Sequence, residues 1–133
     1  MDEKFEIVWR NPEKTVLMIN YFQNGTWEDI LEANSMSDVI VREVQHNVIV
    51  FHNGGDYSVD MTDIGSIKGL FYNKAPSIPK NLILVIILLK NWKGAMSLKI
   101  GMETLDKVIF RRKLNYFVHS MEEAEELIKQ AGL

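Results

Sequence analysis

The sequence predicts a single α/β domain: a mainly parallel five-stranded sheet with an antiparallel edge hairpin and four helices, in the order β-β-α-β-α-β-α-β-α. Three observations carry this. The chain has 133 residues, 47% of them hydrophobic and 25% charged. A domain typically uses about 100–150 residues and buries roughly two-thirds of the surface its unfolded chain exposes, so residues 1–133 support one core and not two. Short β-rich runs alternate with segments of helical period, which is the pattern of βαβ units joined by right-handed crossovers. The run Leu82 to Leu89, LILVIILL, has no polar alternation, as expected of a parallel strand covered on both faces.

The elements follow in order. Phe5, Ile7 and Trp9 alternate with Glu6, Val8 and Arg10, the period of a half-exposed strand. NPEK then supplies a turn in which Pro12 presets φ, and Thr15 to Tyr21 (TVLMINY) returns as the second strand of a hairpin. Thr26 with Asp29 resembles a capping box opening a helix from Trp27 to about Val44, whose apolar residues include Ile30, Leu31, Val39 and Ile40. The ANSMS interval is its weak point, because Asn34, Ser35 and Ser37 are mediocre helix formers. NVIVF at 47–51 is a third strand, ending near His52 in the breaker HNGGDYS.

Asp60 with Asp63 can cap a helix from Met61 to about Tyr72, and the two prolines of KAPSIPKN mark a connector into the central strand. Leu98, Met102, Leu105 and Ile109 recur at helical spacing, which predicts a long helix from Asn91 to about Arg112 despite Gly94 and Gly101. Leu114 to Val118 is the last strand. Ser120 with Glu123 forms another capping-box pattern before Met121 to Ala131, and Gly132 closes that helix.

Composition excludes several functions. With no cysteine, disulfide scaffolds, thiolate metal sites and cysteine nucleophiles are ruled out. Fifteen Lys and Arg against eighteen Asp and Glu give a formal charge of −3, which offers no excess positive charge for a nucleic-acid backbone. The first residues lack the basic, apolar and small-residue segments of a signal peptide, and the longest apolar run falls far short of the roughly 20 residues of a membrane span, so a cytoplasmic location is expected. His46, His52 and His119 are dispersed without a ligand spacing, so no metal and no cofactor are expected. There is no GxSxG, and Ser58 near His52 is a local coincidence, so a binding module is favoured over an enzyme.

The stretch VWRNPEKTVLMINYFQNGTWEDILEA at 8–33, with HNVIVF, PKNLILVIIL and SMEEAEELI further on, resembles the STAS domains. The founding members of that family are bacterial anti-sigma-factor antagonists, and the likeness is closer to small stand-alone SpoIIAA-like proteins. The resemblance implies a fold like the one above and regulation by protein binding. The related SEC14-like branch implies an alternative, a carrier of a lipid or small apolar ligand. Antagonist proteins carry a phosphoacceptor in a motif like Asp-Ser-Ser-Gly-Leu at a helix start. Here the region reads VDMTDIGSIKGL, which puts Thr62 in a similar position, with Ser58 and Ser66 less well placed. The departure from the motif implies a degenerate switch. A phosphate at Thr62 would meet Asp56, Asp60 and Asp63, so the plainer reading is Asp60 as a helix cap.

Ligands of open α/β sheets bind beyond the carboxyl ends of the strands. That rule singles out His52 to Asp56 after the third strand, Lys90 to Trp92 after the fourth and His119–Ser120 after the fifth. The candidate binding residues are therefore His52, Asp56, Ser58, Thr62, Lys90, Trp92 and His119, against the alternative that each simply meets water or caps a helix. Met61, Met96, Met102 and Met121 with Phe71, Tyr72 and Trp92 could line an apolar groove, although such spacing usually marks core. RRK at 111–113 could meet phospholipid headgroups or complement the negative end of a helix; without further observation the helix reading is preferred.

Overall fold

The hairpin forms as its alternation predicts, because Asn11 organises the turn. Its Oδ1 accepts from the amides of Thr15 and Val16 at 3.0 and 3.2 Å, and its carbonyl accepts from Lys14 N–H at 3.1 Å. Lys14 takes the left-handed φ of 57° that the turn requires. Strands β1 (Phe5–Trp9) and β2 (Val16–Tyr21) pair antiparallel in unbroken register from Phe5 opposite Tyr21 to Trp9 opposite Leu17. The computed structural model describes residues 4–22, 27–54, 78–88, 99–100, 102–104, 106–107 and 111–133. The helix expected from Met61 to Tyr72 lies outside them.

From β2 the chain runs through α1 (Trp27–Arg42) to β3 (Val48–Asn53), β4 (Leu82–Leu88), β5 (Asn115–Val118) and α2 (Met121–Ala131). The sheet order is β1-β2-β3-β4-β5, with every pair after the first parallel. Helix α1 runs unbroken through the expected weak point. Ala33 and Ser37 are fully buried there, so small residues let the helix approach the sheet, and Ser37 Oγ donates to the Asn34 carbonyl at 2.8 Å. Val39, expected among the apolar residues of this helix, is instead 60% exposed.

The two sheet faces hold separate cores. One joins Leu17, Ile19, Val48, Val50, Val85 and Ile87 with Ile30, Ala33 and Val41 of α1, and half-buried Met102 packs on it. The other joins Ile49, Phe51, Ile86 and Leu88 with Ala124, and half-buried Leu127 and Ile128 of α2 pack on it. Handedness explains the division. In a sheet that advances steadily in one direction, right-handed crossovers put their helices on one face, whereas α2 follows the last strand, crosses nothing and is free to cover the other. Each fully buried side chain such as Phe51 or Ile86 contributes about 1.5–3 kcal/mol to this arrangement.

The LILVIILL run, expected as the central strand, is instead β4, an interior strand between β3 and the edge strand β5 with β3 at the centre of the sheet, and its Leu84 to Leu88 are buried. Ile83 departs from the expectation and is half-buried, next to a register irregularity at Val48/Ile49. Residues 99–100 and 102–104 are helical, but the long third helix does not reach Arg112. Arg111 takes a left-handed φ of 53°, and Arg112 N–H bonds to the Asp106 carbonyl at 3.0 Å. Helix α2 carries the caps read from its sequence. Ser120 Oγ accepts from Glu123 N–H, and Gly132 closes the helix at φ 71° with its N–H on the Lys129 carbonyl.

Candidate functional site

At the carboxyl ends of β2 and β3 the structure places an aromatic and polar cluster. His52 and Tyr21 point to the same face as α1, where Tyr21 Oη and His52 Nδ1 are hydrogen-bonded at 2.9 Å. Their rings lie nearly parallel, 13° apart with centroids at 6.1 Å, and Phe5 leans on Tyr21 at 6.2 Å. His52 is only 5% exposed. Burial disfavours the charged imidazolium and lowers its pKa from 6.5 to about 4, so the ring is neutral at physiological pH.

On the opposite face the same strand ends carry a row of polar side chains in register, Glu6 beside Asn20 beside Asn53. Asn20 Nδ2 donates to Glu6 Oε1 at 3.0 Å, and Asn53 Nδ2 donates to Asn20 Oδ1 at 2.9 Å. The amides hold one another in fixed orientation and leave the carboxylate half of the row as an acceptor. Sequence reading missed this row. Its available signal was the pair of asparagines ending two β-rich runs, which period-two patterning treats as ordinary exposed positions.

The residues read from the sequence fare differently. His52 is at a strand end as expected, but it faces inward to Tyr21 and not outward to a ligand. His119 is exposed, and its backbone N–H donates to Glu123 Oε2 at 3.3 Å, which makes it part of the α2 cap. Asp56, Ser58, Thr62, Lys90 and Trp92 lie outside the described residues. So do Met61, Met96, Phe71 and Tyr72 of the proposed groove; Met102 packs into the core and Met121 is exposed. Asp29, expected as a helix cap, is buried and accepts from Lys4 Nζ at 3.1 Å. Among the described residues no group of His, Asp and Glu is arranged to hold a metal ion, and no helix is long and apolar enough to cross a membrane.

The opposite end of the sheet also carries a site. At the start of β5, buried Asp106 accepts from Asn115 N–H at 3.1 Å and from Asn115 Nδ2 at 2.9 Å. At the start of β4, the Leu82 carbonyl accepts from Arg112 Nη2 at 2.9 Å. These bonds shape an open cavity of about 630 Å³ lined by Glu103, Asp106, Lys107, Arg111, Arg112 and Lys113. The RRK segment thus lines a cavity on a turn beyond the helix. No family model, curated protein or solved structure matches the chain.

Proposed function

We propose that this chain is a stand-alone STAS or SpoIIAA-like domain that works as a non-enzymatic binding or regulatory module, contacting a protein partner at the carboxyl-end rim of its sheet. The observation that supports the reading is the topology: an edge hairpin feeding four parallel strands, in keeping with the mainly parallel sheet and antiparallel edge expected from the sequence. In this reading four helices flank the sheet, and Thr62 begins the second of them as a degenerate phosphoswitch. The state of His52 supports binding over hydrolysis, because a buried neutral imidazole bonded to Tyr21 is not presented to a substrate. In this reading Asp56, Asp60 and Asp63 contribute acceptors to the interface, so the partner presents basic residues and its binding weakens with salt.

The test is to identify proteins captured from the source cell, to reconstitute the complex from purified components, and to compare the affinities of wild type, Thr62→Glu and Asp56→Ala. Weaker binding by Asp56→Ala supports the reading. Equal affinities for all three folded proteins would move the interface elsewhere. Turnover of an ester or phosphate substrate that is lost in Ser58→Ala would replace the module with a hydrolase, and a stoichiometric copurified lipid would replace it with a SEC14-like carrier.

A further inference from the structure

The cavity at the amino ends of β4 and β5 gathers four cations against two carboxylates in a chain whose formal charge is −3. Among the described residues the ion pairs are Lys4 with Asp29 and Arg10 with Glu125, so none of Lys107, Arg111, Arg112 and Lys113 has a carboxylate partner. Glu103 and Asp106 offset two of these four charges, so the lining keeps a net positive excess of two. Four like charges brought together repel one another, and a fold that holds them around a concavity favours an anion there.

The cations are also held in place. Arg112 is tied to the Leu82 carbonyl and, through its N–H, to the Asp106 carbonyl. Lys113 Nζ sits 4.5 Å above the Tyr116 ring, a cation–π contact that fixes its position. Arg111 is a non-glycine residue at φ 53°, a conformation that L-residues rarely adopt and that gathers at ligand sites. Residues 106–107 form a wide π-type turn, which is likewise enriched at functional sites. Simple complementation of a helix dipole would send these side chains to the last helical carbonyls, yet Arg112 reaches across to β4.

We propose that this cavity binds a phosphomonoester group. Its dianion would sit among Lys107, Arg111, Arg112 and Lys113. Where the esterified group carries hydroxyls, as a sugar does, Glu103 would accept from one, and so would Thr104, whose own Oγ1 proton is already donated to the Ile100 carbonyl at 2.9 Å. The volume of about 630 Å³ lies within the roughly 300–1,000 Å³ of small-molecule sites. The same headgroup chemistry occurs free, as in a sugar phosphate, and on a lipid, as in phosphatidic acid. This site is at the opposite end of the sheet from the rim invoked above, so its failure would leave the protein-binding reading standing.

Calorimetric titration with a hexose phosphate and with the corresponding free hexose tests the proposal. Vesicles of phosphatidylcholine with and without phosphatidic acid distinguish the two sources. Wild type binds the hexose phosphate, or the vesicles containing phosphatidic acid, with an affinity that falls as salt rises. Arg111→Gly removes one guanidinium at a φ that glycine adopts freely, so it keeps the fold and weakens binding roughly tenfold or more, the scale of one charge-assisted hydrogen bond. The double variant Lys107→Met with Arg111→Gly abolishes it, with an unchanged melt as the folding control. No binding of either phosphate probe, equal binding of phosphorylated and free hexose, or undiminished binding by the folded double variant would overturn the proposal.

Discussion

Replacing His52 with glutamine removes a buried side chain whose ionisation opposes folding. The ring is buried and its pKa falls from 6.5 to about 4, which at 1.36 kcal/mol per pH unit amounts to about 3 kcal/mol. The folded pKa lies below the unfolded value, so the unfolded chain takes up the proton first as the solution is acidified. Stability is complete above pH 6.5, falls as pH drops from 6.5 towards 4, and loses nothing more from this residue below that. Glutamine cannot titrate but offers Tyr21 Oη a polar partner, so the variant starts about 1–2 kcal/mol less stable at neutral pH from lost packing and hydrogen-bond geometry. Urea unfolding of both proteins across this window isolates the residue, because carboxylate titrations are common to the two and cancel in the difference. The gap narrows, then reverses, as pH approaches 4. A gap that stays constant from neutrality to pH 4 would refute the burial argument, as would an imidazole resonance for His52 that titrates near 6.5.

Three further outcomes follow from the fold. Val85→Asp places an unpaired carboxylate at a buried position of β4 and costs about 3–5 kcal/mol out of a total of roughly 5–15, so the melting midpoint falls steeply. An unchanged midpoint would contradict the assignment of β4. Asn81→Ala removes the amide that donates to the Val41, Val44 and His46 carbonyls at 2.9, 3.1 and 3.0 Å and lowers stability by about 1–3 kcal/mol, read by thermal unfolding, because the end of α1 loses its tie to the start of β4. Gly132→Ala costs about 1 kcal/mol: the added methyl meets nothing within 4 Å, so the penalty is that of the left-handed backbone alone, and a neutral result would show that the cap frays.

What the sequence determined by itself was local. The alternation of Phe5 to Arg10, the apolar run of β4 and the Ser120, Glu123 and Gly132 caps of α2 depend on periods of two and 3.6 or on contacts within about four residues, so side-chain type and spacing suffice to read them. The tertiary structure decided everything that depends on which elements meet. The fold set Lys4 beside Asp29 across 25 positions, a contact that no local pattern announces, and His52 looked like a ligand contact until the parallel register of β2 and β3 aimed it at Tyr21, 31 positions away. Small residues that weaken an isolated helix became an advantage in α1, where Ala33 and Ser37 bury against the sheet, because tertiary packing outweighs tenths of a kcal/mol of propensity. The cationic cavity was hidden for the same reason. Three consecutive basic residues at 111–113 have the same one-dimensional appearance on a solvated helix end as around a concavity, and only the bonds of Arg112 to Leu82 and of Asp106 to Asn115 curve that turn into a site.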